Sequence, residues 1–152
     1  MLEIREDDLT GEEVRALLAL HLAEARAKTP AGFSFALDLS GLQQPNITVW
    51  TAWSGPRIAG VAALKDLGDG AGEVKSMRTD PEHLRQGVAS ALLDHIVSEA
   101  RARGMKRLLL ETGMGAAYEP AKALYRRHGF GDGQPFGDYQ PSPYNYFMQL
   151  AL

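Results

Sequence analysis

The stretch from Met77 to Ser90 most constrains what this chain can fold into, because a strand, a polar turn and the start of a helix follow one another within it. Residues 91–103 continue the stretch with apolar side chains at helical spacing. A helix that begins on small residues presents unpaired backbone N–H groups and the positive end of its dipole. The stretch therefore predicts a site for an anion such as a pyrophosphate.

The composition is typical of a single globular domain. The chain has 152 residues, of which 45% are hydrophobic and 23% charged, so we expect one domain over residues 1–152. A net charge of -3 argues against a partner of the nucleic-acid class. The absence of cysteine excludes disulfides, thiolate ligands and a cysteine acyl-enzyme, and we expect no metal. An acidic N-terminus without a long apolar run predicts a cytoplasmic protein that does not enter a membrane.

The first half of the chain alternates between clear and ambiguous patterns. Periodicity predicts a helix over 12–28 and strands over 2–5, 46–53, 58–65 and 73–79. Residues 33–42 are consistent with either a short helix or an ordered loop that covers the core. Asp38 within this segment is interpreted as a substrate contact or as a cap. His21 lies in the first helix without a metal-binding pattern, and we interpret it as structural.

The second half reads as strand, helix and strand units. The pattern predicts a helix after Gly87, a buried strand over 106–111, a helix over 118–128, a loop over 131–143 and a last strand over 144–152. We expect Tyr144, Tyr146, Met148 and Leu150 to share one face of that last strand. Together the elements predict a layered α/β or α+β domain.

Two separated motifs, Leu-x-x-Gly-x-Ala over residues 84–89 and Ala-x-x-Leu-Tyr-x-x-x-Gly-Phe over residues 121–130, resemble those of the GNAT superfamily of acetyl-CoA dependent N-acetyltransferases. Residues 84–89, Leu-x-x-Gly-x-Ala, resemble that family's Gln/Arg-x-x-Gly-x-Gly/Ala signature at the start of a helix. Residues 121–130, Ala-x-x-Leu-Tyr-x-x-x-Gly-Phe, are similar to its alanine, leucine-tyrosine and glycine-phenylalanine run. Residues 73–79 and 110–113 are further similar to a bacterial subgroup of acetyltransferases, the YsnE type.

The resemblance covers nearly the whole chain and implies its fold. The GNAT-like fold is a mixed, mostly antiparallel sheet of about six to seven strands, flanked by about four helices. It includes a V-shaped splay between the fourth and fifth strands.

The resemblance also implies acetyl-CoA as cosubstrate and a set of residues that bind it. The pyrophosphate would meet the turn formed by Arg85, Gln86, Gly87, Val88, Ala89 and Ser90. The pantetheine arm would pair with the backbone of Met77, Arg78 and Thr79, with the thioester carbonyl at the Met77 N–H, and Thr112 and Tyr125 would complete the set. The side chains of Arg85 or Arg78 are candidates to add charge at the phosphates.

Two positions depart from the family pattern. Leu84 stands at the Gln/Arg position, so the site depends on backbone amides more than on a side chain. Tyr118 stands where many members have an asparagine, seven residues before Tyr125, which puts cofactor contacts from that loop in question.

Acetyl transfer to an amine requires an acid and a base. Tyr125 matches the family's leaving-group acid, and the alternative is a tyrosine that packs beside Phe130. Glu73, fourteen residues before Gly87, is the expected base, against a surface glutamate paired with Lys75. His83 in the polar turn is a rival base.

We therefore expect direct transfer to a primary amine of a small molecule or peptide in a ternary complex. The alternative is a catalytically silent module that senses acyl-CoA. Phe33, Asp38 and Tyr139, on loops around the crevice, are the candidate acceptor contacts. The last strand is suited to pairing across a homodimer interface.

Overall fold

The alternating segments of the chain form one seven-stranded mixed sheet in the computed structural model, which describes residues 1–152. In chain order the elements are β1 (Leu2–Asp7), α1 (Glu12–Lys28), α2 (Leu39–Leu42), β2 (Ile47–Ser54), β3 (Arg57–Gly68), β4 (Ala71–Thr79), α3 (Val88–Ala102), β5 (Arg107–Gly113), α4 (Glu119–Arg127), β6 (Gly131–Asp132) and β7 (Asn145–Ala151). Short 3-10 turns at Pro81–His83 and Ala116–Tyr118 precede α3 and α4. The strands lie in the order β1-β2-β3-β4-β5-β7-β6, which confirms the predicted mixed α/β sheet with four helices.

The sheet opens between β4 and β5. These two strands are parallel and pair only where Ala71–Glu73 lies beside Arg107–Leu109, whereas all other neighbours are antiparallel. Beyond that contact β4 continues to Thr79 and β5 to Gly113 without bonding each other. Each strand stays bonded to its outer neighbour, β3 or β7, so the gap is held open from both sides. The predicted splay between the fourth and fifth strands is confirmed.

A bulge interrupts β4 beside the splay. Lys75 pairs with Ala63 and Arg78 with Val61, so β4 uses one more residue than β3 between these pairs. Ser76 within the bulge has a φ of 55°, a left-handed conformation that is uncommon for residues other than glycine. Backbone strain of this kind concentrates at functional sites.

Two apolar clusters cover opposite faces of the sheet. Leu92 and Ile96 of α3 are fully buried in one cluster, and Val14 and Leu17 of α1 are buried in the other. Neighbouring residues of β3 point alternately into the two clusters, as the period of a strand requires. Burial of one such side chain stabilises the fold by about 1.5–3 kcal/mol.

The start of α3 is fixed by close packing on β3. A Cβ added at Gly60 would lie 2.6 Å from Cγ1 of Val88, the first residue of α3. Val88 itself is 1% exposed and belongs to the core under α3. The turn before α3 is thereby held against β3, next to Thr79 at the end of β4, which pairs with Gly60.

The structure decides the role of Asp38, which the sequence left open, and corrects the position of Tyr144, which the sequence placed in the last strand. Asp38 accepts a 2.8 Å hydrogen bond from the Gly41 N–H and caps the short α2, so residues 33–42 combine an extended segment with one helical turn. Tyr144 precedes β7 and is exposed, because that strand begins at Asn145. None of the helices is both long enough and apolar enough to cross a membrane.

Candidate active site at the strand splay

A cavity of about 240 Å³ lies at the splay. Its walls come from α1, residues 33–36, β4, β5 and the region around α4. The two strands contribute residues 74–78 and 111–113, which are the segments that have lost their mutual pairing. The break in the sheet therefore creates the cavity.

Tyr125 reaches the cavity from α4. It is 6% exposed, its ring lies 5.8 Å from that of Phe130, and it both packs the core and lines the cavity. Burial raises the pKa of the Tyr125 phenol to about 12. The hydroxyl therefore keeps its proton at neutral pH and is available as a donor.

Glu111 lies at the end of β5 and lines the same cavity. Burial raises its pKa to about 7; the nearby charge of Glu73 adds to the increase and that of Lys75 opposes it. A carboxyl group with that pKa exchanges a proton readily near neutral pH. Sequence reasoning did not assign Glu111, although the signal was a carboxylate that directly follows the buried Leu108–Leu110 run.

Glu73, the base expected from the resemblance, lies behind the cavity wall. Its side chain is 3% exposed and is not part of the lining. Two groups donate hydrogen bonds to Glu73 Oε2: Lys75 Nζ at 3.1 Å and the Tyr139 hydroxyl at 2.6 Å. Lys75 Nζ also donates to Tyr139 Oη at 2.7 Å. Burial and the charge of Glu73 raise the pKa of Tyr139, which keeps that hydroxyl protonated.

Tyr139, an expected acceptor contact, thus acts on the site through Lys75 and Glu73. It does not itself line the cavity. Lys75 does line it and is 9% exposed. The three side chains form a closed triangle that ties the loop before β7 to β4.

Arg78 points across the cavity toward α1. Its Nη2 lies 2.5 Å from Oε2 of Glu24, so its charge is paired with α1 and not with the turn that precedes α3. His21 lines the cavity beside this pair, and burial, together with the charge of Arg78, lowers its pKa to about 4. The imidazole is therefore neutral at pH 7. The sequence carried no signal for this position, since only the packing of α1 on the sheet brings His21 there.

Aromatic rings form the rim of the cavity. Phe33 and Tyr144 are 37% and 41% exposed, and their ring centroids lie 4.8 Å apart. Phe35 packs edge-on against Tyr139 at 5.2 Å. Phe33, an expected acceptor contact, lines the cavity, whereas Asp38 does not and serves as the α2 cap.

The turn before α3 lies outside the cavity and has the open backbone that the sequence predicted. Gly87 has a φ of 79°, and nothing lies within 4 Å of a Cβ added there. Arg85 and Gln86 are exposed, while Val88 is buried and offers only its backbone. Ser90 Oγ lies 2.9 Å from Nε2 of His128. His83, the rival base, lies 3.0 Å from Asp80 in the preceding turn and is not part of the cavity lining.

Tyr118 closes the cavity beside α4. Its ring lies against Gly113, where an added Cβ would come within 2.3 Å of Cε2. Its hydroxyl lies 3.3 Å from Oγ1 of Thr29 at the end of α1. The tyrosine that replaces the family's asparagine therefore joins β5 to α1, and Thr112 lines the cavity next to it.

Comparison with known proteins decides the family. Residues 14–130 match the model of the Acetyltransferase (GNAT) family. The chain belongs to the GNAT acetyltransferase family. As a member it is an acyltransferase, and the sheet with its splay is the GNAT fold.

Relatives extend over the whole chain. It is 45% identical to YedL of Escherichia coli strain K12 over 152 residues, covering 100% of this chain and 96% of YedL. It is 47% identical to YsnE of Bacillus subtilis strain 168 over 151 residues, covering 99% and 100%. Both are named uncharacterized N-acetyltransferases. The predicted likeness to the YsnE type is confirmed.

Solved structures share the fold along the full length. A Klebsiella pneumoniae protein aligns with a TM-score of 0.85 and 31% identity over 100% of this chain and 98% of its own. A Bacillus subtilis acetyltransferase in complex with CoA aligns with a TM-score of 0.76 and 19% identity, over 100% and 99% of the two chains. The second likeness concerns the fold alone.

Proposed function

We propose that this chain transfers the acetyl group of acetyl-CoA directly to a primary amine of a small molecule or peptide within a ternary complex. The observation that carries the proposal is that Glu111 of β5 and Tyr125 of α4 line one cavity at the splay. Direct transfer needs one group that takes a proton from the amine and another that gives a proton to the departing sulfur. The cavity holds one group suited to each task.

The turn before α3 suits the pyrophosphate of acetyl-CoA. Gly87 leaves open space beside its backbone, and α3 behind it is 15 residues long, so its first N–H groups and its dipole favour an anion. Leu84 at the family's polar position is 58% exposed. Binding at this turn is therefore expected to depend on the amides of residues 85–90, with the Ser90 hydroxyl as a further donor.

The unpaired edge of β4 suits the pantetheine arm. Between Val74 and Thr79 this edge has no bond to β5, so its backbone groups on that side are free for the cosubstrate's amides. When bound, acetyl-CoA supplies the acetyl thioester. The Met77 N–H is proposed to donate to the thioester oxygen, an arrangement that stabilises developing negative charge. Arg78, Thr79 and, from β5, Thr112 would complete the contact.

Tyr125 is proposed as the acid. Its pKa of about 12, raised by burial, keeps the hydroxyl protonated until negative charge develops on the sulfur beside it. A buried phenol next to an anionic thiolate is then a suitable proton donor.

Glu111 is proposed as the base, in place of the Glu73 expected from the resemblance. Glu73 is bonded to Lys75 and Tyr139 and does not line the cavity. Glu111 lines the cavity and has a pKa of about 7, so its carboxyl group is ionised in about half of the molecules at neutral pH. Glu73 remains relevant as a positioning residue, because its negative charge contributes to that pKa.

The acceptor does not follow from the relatives. A 40% identical protein of Azospirillum brasilense, matched over 81% of this chain and 80% of its own, is named IAA acetyltransferase. A 36% identical protein of Escherichia coli strain K12, matched over 44% of each chain, is named [ribosomal protein bS18]-alanine N-acetyltransferase. The names of these two relatives point to different acceptors. A cytoplasmic location and a homodimer remain predictions for this chain.

Two measurements test the proposal. Calorimetric titration with acetyl-CoA should show saturable binding, and thiol release should follow on addition of some members of a panel of amines, amino acids and short peptides. Binding without turnover on the whole panel would favour the acyl-CoA sensor. Absence of binding would reject both functions.

A further inference from the structure

Two buried side-chain atoms have no hydrogen-bond partner in this chain, Ser76 Oγ and Arg78 Nε. The two residues are separated only by Met77 at the bulge of β4, and both line the cavity. A buried polar group without a partner costs about 1–3 kcal/mol. Two such groups at one cavity would each gain a partner from a ligand bound there.

Arg78 is held in a fixed orientation. Glu24 of α1 binds its Nη2, and the arginine side chain is only 20% exposed. The ion pair uses Nη2 and leaves the buried Nε without a hydrogen-bond partner. An N–H on a charged group favours an anionic oxygen over a neutral one.

The charges around the cavity also favour an anionic group. Its lining carries the cations Lys28, Lys75 and Arg78 against the carboxyl groups Glu24 and Glu111. Glu111 is partly protonated near pH 7, and the neutral His21 adds no charge. Glu73 behind the wall pairs with Lys75, so with Glu73 counted the three cations face three carboxyl groups, of which Glu111 is only partly ionised, and the balance is slightly positive.

We infer that Arg78 Nε and Ser76 Oγ bind a carboxylate of the acceptor, and that the acceptor is a free amino acid. This inference rests on the acetyl transfer proposed above. The amine nitrogen forms its bond to the acetyl carbon while the C–S bond breaks, its proton passes to Glu111, and the sulfur takes the proton of Tyr125. The products are an N-acetyl amino acid and coenzyme A.

The size of the cavity agrees with a small acceptor. Its volume of about 240 Å³ lies below the roughly 300–1,000 Å³ of pockets for drug-sized ligands. Phe33 and Tyr144 at the rim offer apolar surface, which suits an amino acid with an apolar side chain. In a peptide the carboxyl of the first residue is an amide, which offers the guanidinium no negative charge. The subsite thus separates free amino acids from peptide N-termini.

The test compares acids with matched amides. Thiol release from acetyl-CoA is measured with the standard L-amino acids, each beside its carboxamide. For the amino acids that react, kcat/KM should exceed that of the amide at least about tenfold, since a hydrogen bond to a charged group is lost. Equal values for acid and amide would overturn the inference.

Variants assign the preference to the subsite. Arg78→Gln should abolish the preference of acid over amide while the affinity for acetyl-CoA stays within about twofold, and Ser76→Ala should reduce the preference. Ser76→Ala removes an unpartnered buried hydroxyl and is expected to fold. Arg57→Gln is the matched control, because Arg57 pairs with Glu82 on an exposed turn and should leave every value unchanged. If the Arg78 variant bound acetyl-CoA more weakly and still preferred acids over amides, Arg78 would bind the cosubstrate and the inference would be wrong.

A binding measurement separates this inference from the proposed function. Each acid and amide is titrated calorimetrically into the wild-type protein saturated with coenzyme A. If acids bound more tightly than their amides but no thiol were released, the carboxylate subsite would be supported and the transferase function rejected. No acid-selective binding and no acid-selective turnover would reject the subsite, even if other amines were acetylated.

Discussion

Tyr139 donates a 2.6 Å hydrogen bond to Glu73, and this bond connects the loop before β7 to the strand that forms one wall of the splay. The Glu73 side chain is 3% exposed, so its buried oxygens need such donors. The bond therefore holds the loop against the cavity and stabilises a buried carboxylate at the same time.

Replacing Tyr139 tests the stabilising role of this contact. Tyr139→Phe should lower the free energy of unfolding by about 1–3 kcal/mol, because Glu73 loses one of its two donors. Urea denaturation measures the change. The matched control is Tyr146→Phe, whose hydroxyl bonds the exposed Asp132 and whose loss should cost within about 0.5 kcal/mol. Equal losses in the two variants would contradict the role given to Glu73.

Glu111 should govern the pH dependence of transfer. The base must be ionised, so kcat/KM should rise with pH through about 7, the pKa that burial gives Glu111. Glu111→Gln should lower kcat about 10²–10⁴-fold and remove that step from the profile. Glu73→Gln is the comparison: it should retain a step, moved to lower pH because the nearby negative charge is gone. A step that vanishes in Glu73→Gln and persists in Glu111→Gln would reverse the two assignments.

Tyr125 should affect the chemical step more than binding. Tyr125→Phe should lower kcat about 10²–10⁴-fold, since the ring still packs on Phe130 but no proton reaches the sulfur. Thiol release and calorimetric titration of acetyl-CoA are measured together. A variant with wild-type kcat would show that the tyrosine only packs the core.

Gly87 should be needed for cosubstrate binding. Gly87→Ala places a methyl group beside the open backbone. The φ of 79° at this position also strains any residue with a Cβ. Gly55→Ala is a matched control, because Gly55 in the β2–β3 turn has a φ of 57° and equally open surroundings. Both variants should lose about 1 kcal/mol of stability, and only the first should lose affinity for acetyl-CoA in calorimetry. If the two variants bound acetyl-CoA with equal affinity, the pyrophosphate would not bind at this turn.

His21 should make the fold sensitive to acid. Its pKa is lowered to about 4 in the fold, against about 6.5 in an unfolded chain. Between these values the unfolded state binds more protons, so stability should fall as pH drops through this range, by up to about 3 kcal/mol from this residue. Urea midpoints from pH 7 to pH 4.5 should show a smaller fall in His21→Gln. An unchanged slope in that variant would contradict the shift.

Much of the fold was accessible from local patterns. The alternation in β1 to β4 and the apolar spacing of α3 each depend on a few neighbouring residues, so they predicted these elements without knowledge of the whole. Asp38 was harder, because a capping aspartate and a ligand-binding one look alike until the helix behind it is seen. Tyr144 was misplaced for a similar reason, since an aromatic residue beside a strand suits the strand or its flanking loop equally.

The sequence by itself determined the family and the turn at Gly87, because these depend on motifs within short stretches of chain, and the family resemblance implied the splay. Only the tertiary structure decided which carboxylate faces the cavity. Glu73 and Glu111 are both acidic residues on strands, and the hydrogen bond from Tyr139 that occupies Glu73 comes from a loop 66 residues away. Likewise, the orientation that leaves Arg78 Nε without a partner depends on the ion pair of Nη2 with Glu24 of α1. Burial and charge pairing are properties of the packed sheet and helices, and no local pattern records them.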